Sequence, residues 1–168
     1  MHDDLKMRNI IVRKLESDSS YEVRIIDYER SFKPESELPA YPQTHGIYGS
    51  IVPTAPEQFG KEWLQYKTDN GPFLAETFSA GQVIHSWLSG TTNLPWVDKI
   101  MKSYNKKLRP SECTINQVTE SIDSYLIKQR KKYENDPLQL TILKMLEPDP
   151  TKRLTLTQAL DAFKKLGC

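Results

Sequence analysis

The chain has 168 residues, enough for one domain around one continuous core. Its 23 Lys and Arg nearly balance 22 Asp and Glu, for a net charge of +1, so it lacks the basic excess that a nucleic-acid or anionic membrane surface calls for. The 38% hydrophobic content is lean, which suits a core partly completed by another chain or domain and suits a plain polar surface equally.

Cys113 and Cys168 lie far apart, and no CxxC or Cys/His ligand spacing occurs. A zinc site and a structural disulfide are therefore not expected, and a reducing compartment is: the cytoplasm, with the nucleus not excluded. The first residues do not read as a charged-then-apolar leader, and no apolar run reaches membrane-spanning length, so a soluble chain is expected.

Near the start, Asn9 precedes the β-favouring run Ile10-Ile11-Val12. Glu16 to Ser20 reads as a turn, and Tyr21 to Ile26 as the returning strand. A hairpin that closes symmetrically sets Asn9 opposite Asp27 at its open end. From Tyr28 to about Gln58 come five prolines and no sustained periodicity, the pattern of a functional or mobile stretch. Phe73 to Leu88 is helical, with Phe73, Phe78, Val83, Trp87 and Leu88 among apolar residues that cover most of the circumference. Such a helix belongs in the centre of a fold, with Trp87 in the core and Gly90 as its stop.

Asp98 to about Asn135 is more polar, and Val118, Ile122, Tyr125, Leu126 and Gln129 form one amphipathic stripe within it. The run Lys128-Gln129-Arg130-Lys131-Lys132 reads as a solvated helix face. Leu138 to Leu146 predicts a short helix ended by Pro148. In the last helix Thr155 and Gln158 form a capping box, and Leu156, Ala159, Leu160, Phe163 and Leu166 keep one face apolar. The predicted fold is mainly α: a helical bundle around a buried central helix, with a small β-hairpin near the N-terminus.

Asp4, Lys6, Asn9 and Asp27 carry the chemistry. Phosphoryl transfer needs an oriented nucleophile, a cation on the moving phosphate and oxygen ligands for magnesium. A carboxylate, an ammonium and an amide at i, i+2 and i+5 of one loop can supply these, and Asp27 adds a second hard oxygen ligand.

The run His2-Asp3-Asp4-Leu5-Lys6-Met7-Arg8-Asn9 is similar to the protein-kinase catalytic loop His-Arg-Asp-Leu-Lys-x-x-Asn. Asp27-Tyr28-Glu29 falls where that family has Asp-Phe-Gly, and Ala55-Pro56-Glu57 matches its Ala-Pro-Glu. Glu76-Thr77-Phe78-Ser79-Ala80-Gly81 resembles Asp-x-Trp-Ser-x-Gly, and Ser89-Gly90 through Pro95-Trp96 echoes the Thr-Gly and Pro-Phe that follow. Met145 to Arg153 resembles the family's penultimate loop, whose Arg pairs with the Glu of Ala-Pro-Glu. Five landmarks in order resemble the C-terminal lobe of a eukaryotic-type Ser/Thr protein kinase.

The resemblance implies a catalytic loop at 2–9, a hairpin at 10–26, an activation segment at 27–57 and a helical subdomain at 58–168. It implies ATP and Mg2+ as cofactors, Asp4 and Lys6 as catalytic residues, and Asn9 and Asp27 as magnesium ligands, with Lys6, Asn9 and Asp27 around ATP·Mg. Glu57 and Arg153 would form a structural ion pair, and His2 would support the loop. His45 and His85 are most simply structural. Nothing in the chain resembles a Gly-rich loop, the Val-Ala-Ile-Lys lysine or its Glu partner, so the N-lobe would come from a missing part of the chain or from another chain.

Two departures bear on function. Asp3 replaces the Arg that grips a phosphorylated activation segment, and a carboxylate there would repel that phosphate. Glu29 replaces the Gly of Asp-Phe-Gly. Two functions are carried forward. One is a kinase lobe acting on a protein substrate. The other is a pseudokinase or truncated decoy that binds and regulates a partner kinase.

Overall fold

The computed structural model describes residues 1–16, 20–31, 54–59, 71–91, 94–97 and 115–167. Most of the 27–57 stretch, with Ser50, lies outside them, as do His45, Cys113 and Cys168.

The chain opens with a loop closed by the 3-10 turn Met7–Asn9, then runs into β1 (Ile10–Lys14) and antiparallel β2 (Tyr21–Ile25). Ile10 pairs with Ile25 and Val12 with Val23, giving an apolar face, while Arg13 opposite Glu22 makes the other face charged. Glu22 takes Arg13 at 3.0 Å and Arg24 at 2.7 Å. The register differs by one residue from symmetric closure. The Ile26 N–H donates to the Asn9 carbonyl at 2.9 Å, so Ile26 faces Asn9 and Asp27 is the next residue on. The length of the connection between the strands sets this, and strand composition is blind to it.

Among the described residues four longer helices follow: α1 (Gly71–Ser89), α2 (Ile115–Lys132), α3 (Pro137–Met145) and α4 (Leu156–Lys165). Residues 95–97 are also helical. Gly90, at φ +64°, ends α1 in the left-handed region that a side chain resists. Asp136 caps α3 by accepting from the Gln139 N–H at 2.9 Å, with Pro137 in the first turn. At α4 the capping box forms: the Gln158 N–H donates to Thr155 Oγ at 3.2 Å and the Thr155 N–H to Gln158 Oε1 at 2.9 Å.

α1 packs chiefly on α3. The approach is closest at Gly81, where a Cβ would lie 2.7 Å from the Met145 Cβ. Phe78 of α1 is fully buried beside Trp96, whose ring meets Tyr125 of α2 edge-on at 5.3 Å. Val118, Ile122 and Leu126 close the core from α2. Burying each such side chain stabilises by roughly 1.5–3 kcal/mol, so this contact of α1, α2 and α3 dominates the fold.

The expected burial of α1 is corrected. Trp87 is 59% exposed, with Phe73 and Leu88 beside it in exposure, while Glu76, Thr77 and His85 of the same helix are buried. In α4 only Ala159 is buried, and Leu160 is 52% exposed. Apolar spacing marks a face, but the neighbours decide whether anything covers it. Lys128, Lys131 and Lys132 are exposed, whereas Arg130 turns inward to pair with Glu147. No described helix is long and apolar enough to cross a membrane.

Candidate catalytic site

The Asn9 N–H donates to the Lys6 carbonyl at 2.9 Å, closing a tight turn that delivers Asn9 into β1 with its side chain buried. Its Nδ2 donates to the Asp4 carbonyl at 2.9 Å and lies 3.4 Å from Asp4 Oδ2. Lys6 Nζ reaches the same Oδ2 at 2.6 Å. Asp4, Lys6 and Asn9 therefore form one hydrogen-bonded cluster. Because the Asn9 amide nitrogen faces Asp4, its oxygen is the end left for a hard cation.

His2 braces this loop against the segment after β2. Its Nδ1 accepts from the Asp4 N–H at 3.3 Å, and its Nε2 lies 2.9 Å from the Ile26 carbonyl. Those partners require the proton on Nε2. The Tyr28 ring packs on the imidazole at 4.9 Å, and Ser31 Oγ donates to the His2 carbonyl at 3.4 Å.

Asp27 follows directly on Ile26, whose N–H bonds to the Asn9 carbonyl. It takes φ +68° and ψ +60°, and its side chain makes no capping bond to the turn Tyr28–Arg30 that it precedes. Asp3, at φ +62°, is the other described non-glycine residue in the left-handed region. Asp tolerates that region better than most residues, yet each instance costs energy that surrounding contacts must hold in place. Both fall on the loop pair that carries the candidate chemistry.

What holds Asp3 comes from α1. Its N–H donates to Glu76 Oε2 at 3.2 Å. Burial pushes the Glu76 carboxyl above its ordinary range, while the Asp3 N–H, the nearby His2 and the His2 N–H pull it back. Glu76 thus ties the loop to the central helix, a role the sequence reading left unassigned. The available signal was a carboxylate within an otherwise apolar helical motif.

Glu57 and Arg153 lie away from the cluster and meet in the interior. Arg153 Nη1 and Nη2 approach Glu57 Oε1 and Oε2 at 2.7 and 3.0 Å. Nη1 also donates to the Leu74 carbonyl at 2.8 Å, Nη2 to the Pro148 carbonyl at 3.1 Å, and Nε to the Glu147 carbonyl at 2.7 Å. All five guanidinium protons have acceptors, and its plane lies 5.0 Å from the Phe78 ring.

Among the described residues no three His, Cys, Asp or Glu side chains are grouped to hold a metal alone. Asn9 and Asp27 offer an amide oxygen and a carboxylate, which suits magnesium, an ion that completes its shell with water and substrate phosphate.

The family model of the protein kinase domain matches residues 1–163. The chain belongs to the protein kinase domain family. No curated protein and no solved structure matches it. Within this kinase domain, the buried Glu57–Arg153 pair joins two segments distant in sequence, while the Asp4 cluster lies near the hairpin mouth with Lys6 partly exposed.

Proposed function

We propose that this chain is the C-terminal lobe of a Ser/Thr protein kinase, transferring the γ-phosphate of ATP to a hydroxyl on a protein substrate when completed by an N-lobe. The observation that carries this reading is the hydrogen-bonded Asp4–Lys6–Asn9 cluster, with Asp27 the residue after the Ile26 that bonds to Asn9. The substrate oxygen attacks the γ-phosphorus, the bond to the β,γ-bridging oxygen breaks, and ADP leaves with that electron pair. Asp4 takes the hydroxyl proton, and Lys6 shifts from Asp4 to the moving phosphate. Asn9 and Asp27 would hold magnesium, which would supply positive charge to the phosphates. The Lys two residues after Asp4 supports Ser/Thr over Tyr as acceptor.

The test is Asp4→Asn in the complete protein carrying its N-lobe. Phosphotransfer falls by roughly 10²–10⁴-fold while the melting midpoint barely moves, because the amide keeps the shape and loses the base. Activity within a few-fold of wild type would remove Asp4 from the chemistry. That outcome would leave the second reading, a pseudokinase that binds a partner kinase. Asp3 is the observation that favours it, since a carboxylate stands where the family places its phosphate-gripping Arg.

A further inference from the structure

A second buried polar cluster lies at the other end of α1 from Glu76, nine residues on, or roughly 13 Å along the helix axis. His85 is 0% exposed, and its Nε2 lies 2.7 Å from the Tyr125 hydroxyl on α2. The two rings meet edge-on at 5.8 Å and 79°. Gln139 of α3 stands close enough to favour the charged ring, yet His85 Nδ1 and Gln139 Oε1 have no hydrogen-bond partner among the described residues. The imidazole therefore sits where three helices meet.

We propose that His85 is an acid-sensitive latch, holding α1, α2 and α3 together when neutral and loosening their packing when protonated. With the neutral ring, Nε2 and the Tyr125 hydroxyl share one hydrogen bond, the hydroxyl donating to a bare Nε2 or accepting from Nε2–H. A second ring proton makes both nitrogens donors, so the hydroxyl can then only accept, and a cation is enclosed among the three helices.

The groups that face it do little to compensate. Burial is the main force holding the imidazole below its ordinary value of 6.5, Gln139 opposes it, and Lys132 at the end of α2 adds to it. Tyr125 is itself pushed up by burial and by Tyr133, so it stays a neutral phenol. None of the described groups acting on the ring is a carboxylate. The unfolded chain takes up this proton near pH 6.5 and the folded chain only at lower pH. The stabilisation from a neutral His85 is thus complete above 6.5 and is lost as pH falls through the folded-state value. Glu76 acts in the opposite sense. Its folded value lies above 4.5, so acidification relieves the cost of burying its charge.

The experiment follows hydrogen exchange of residues 115–132 in the 168-residue chain from pH 7.5 to 5.0, in an E76Q background with and without His85→Gln. The His85 ring is titrated by NMR in the wild-type chain alongside. With His85 present, protection corrected for intrinsic exchange falls by up to about tenfold per pH unit between 6.5 and the ring's own value. In His85→Gln that slope is lost. A ring titrating at or above 6.5, or an equal slope in both variants, overturns the latch. The wild-type titration decides alone if His85→Gln does not fold.

Discussion

Two of the carboxylate–cation pairs among the described residues are built to opposite specifications. Arg153 and Glu57 are 0% and 3% exposed, and the guanidinium has no donor left over. Lys6 and Asp4 are 22% and 9% exposed, and two of the three ammonium protons remain outside their 2.6 Å contact. A pair with every valence used and no water near it can only hold. A pair that keeps spare donors and partial access to solvent can change partners at smaller cost. Saturation, more than distance, separates a pair that can only hold from one that can exchange.

The largest stability effect should fall on the saturated pair. Arg153→Ala strands the Glu57 carboxylate and should cost roughly 3–5 kcal/mol in chemical denaturation. Glu57→Gln with Arg153→Met should recover part of it, since the stranded charge is gone. A loss below about 1 kcal/mol for Arg153→Ala would erase the contrast. Gly81→Ala sharpens it, because Gly81 lies where α1 meets α3, near the backbone that Arg153 ties down. Alanine gains about 1 kcal/mol in helix propensity. The 2.7 Å approach to the Met145 Cβ outweighs this, for a net loss of about 1–2 kcal/mol in thermal melting. The smallest effect is expected at Lys6→Met, a change within about 1 kcal/mol, as for other partly exposed pairs. A cost comparable to that of Arg153→Ala would show that Lys6 too is a structural clasp.

Local chemistry made much of this legible in advance. Thr155 and Gln158 announce a cap because both halves of the box lie within four residues, and the hairpin shows in its β-branched runs. Asp4, Lys6 and Asn9 were readable as a group because one loop carries all three. What depends on distant neighbours was not readable. Trp87 looks like a core residue from its spacing, yet nothing among the described residues buries it. Glu76 and His85 look like poor core residues, yet each is covered, one by the loop it holds and the other by Tyr125 and Gln139. The one-residue offset that puts Ile26 opposite Asn9 is a property of the turn between the strands. The left-handed backbone at Asp3 and Asp27 is likewise invisible in composition, since Asp is common in ordinary loops as well.

The clasp between Glu57 and Arg153 joins residues 96 apart in the chain. Closing a flexible loop of that length costs on the order of 4 kcal/mol before any contact rewards it. The Glu147 and Pro148 carbonyls reach Arg153 from within the same loop, whereas Leu74 and Glu57 reach it only once distant segments have docked, so the clasp with Glu57 is expected to close late in folding. An interaction that forms after the rate-limiting step contributes little to how fast the chain folds and much to how slowly it comes apart. The clasp is in that sense a lock on persistence: it sets how long the folded domain survives between openings.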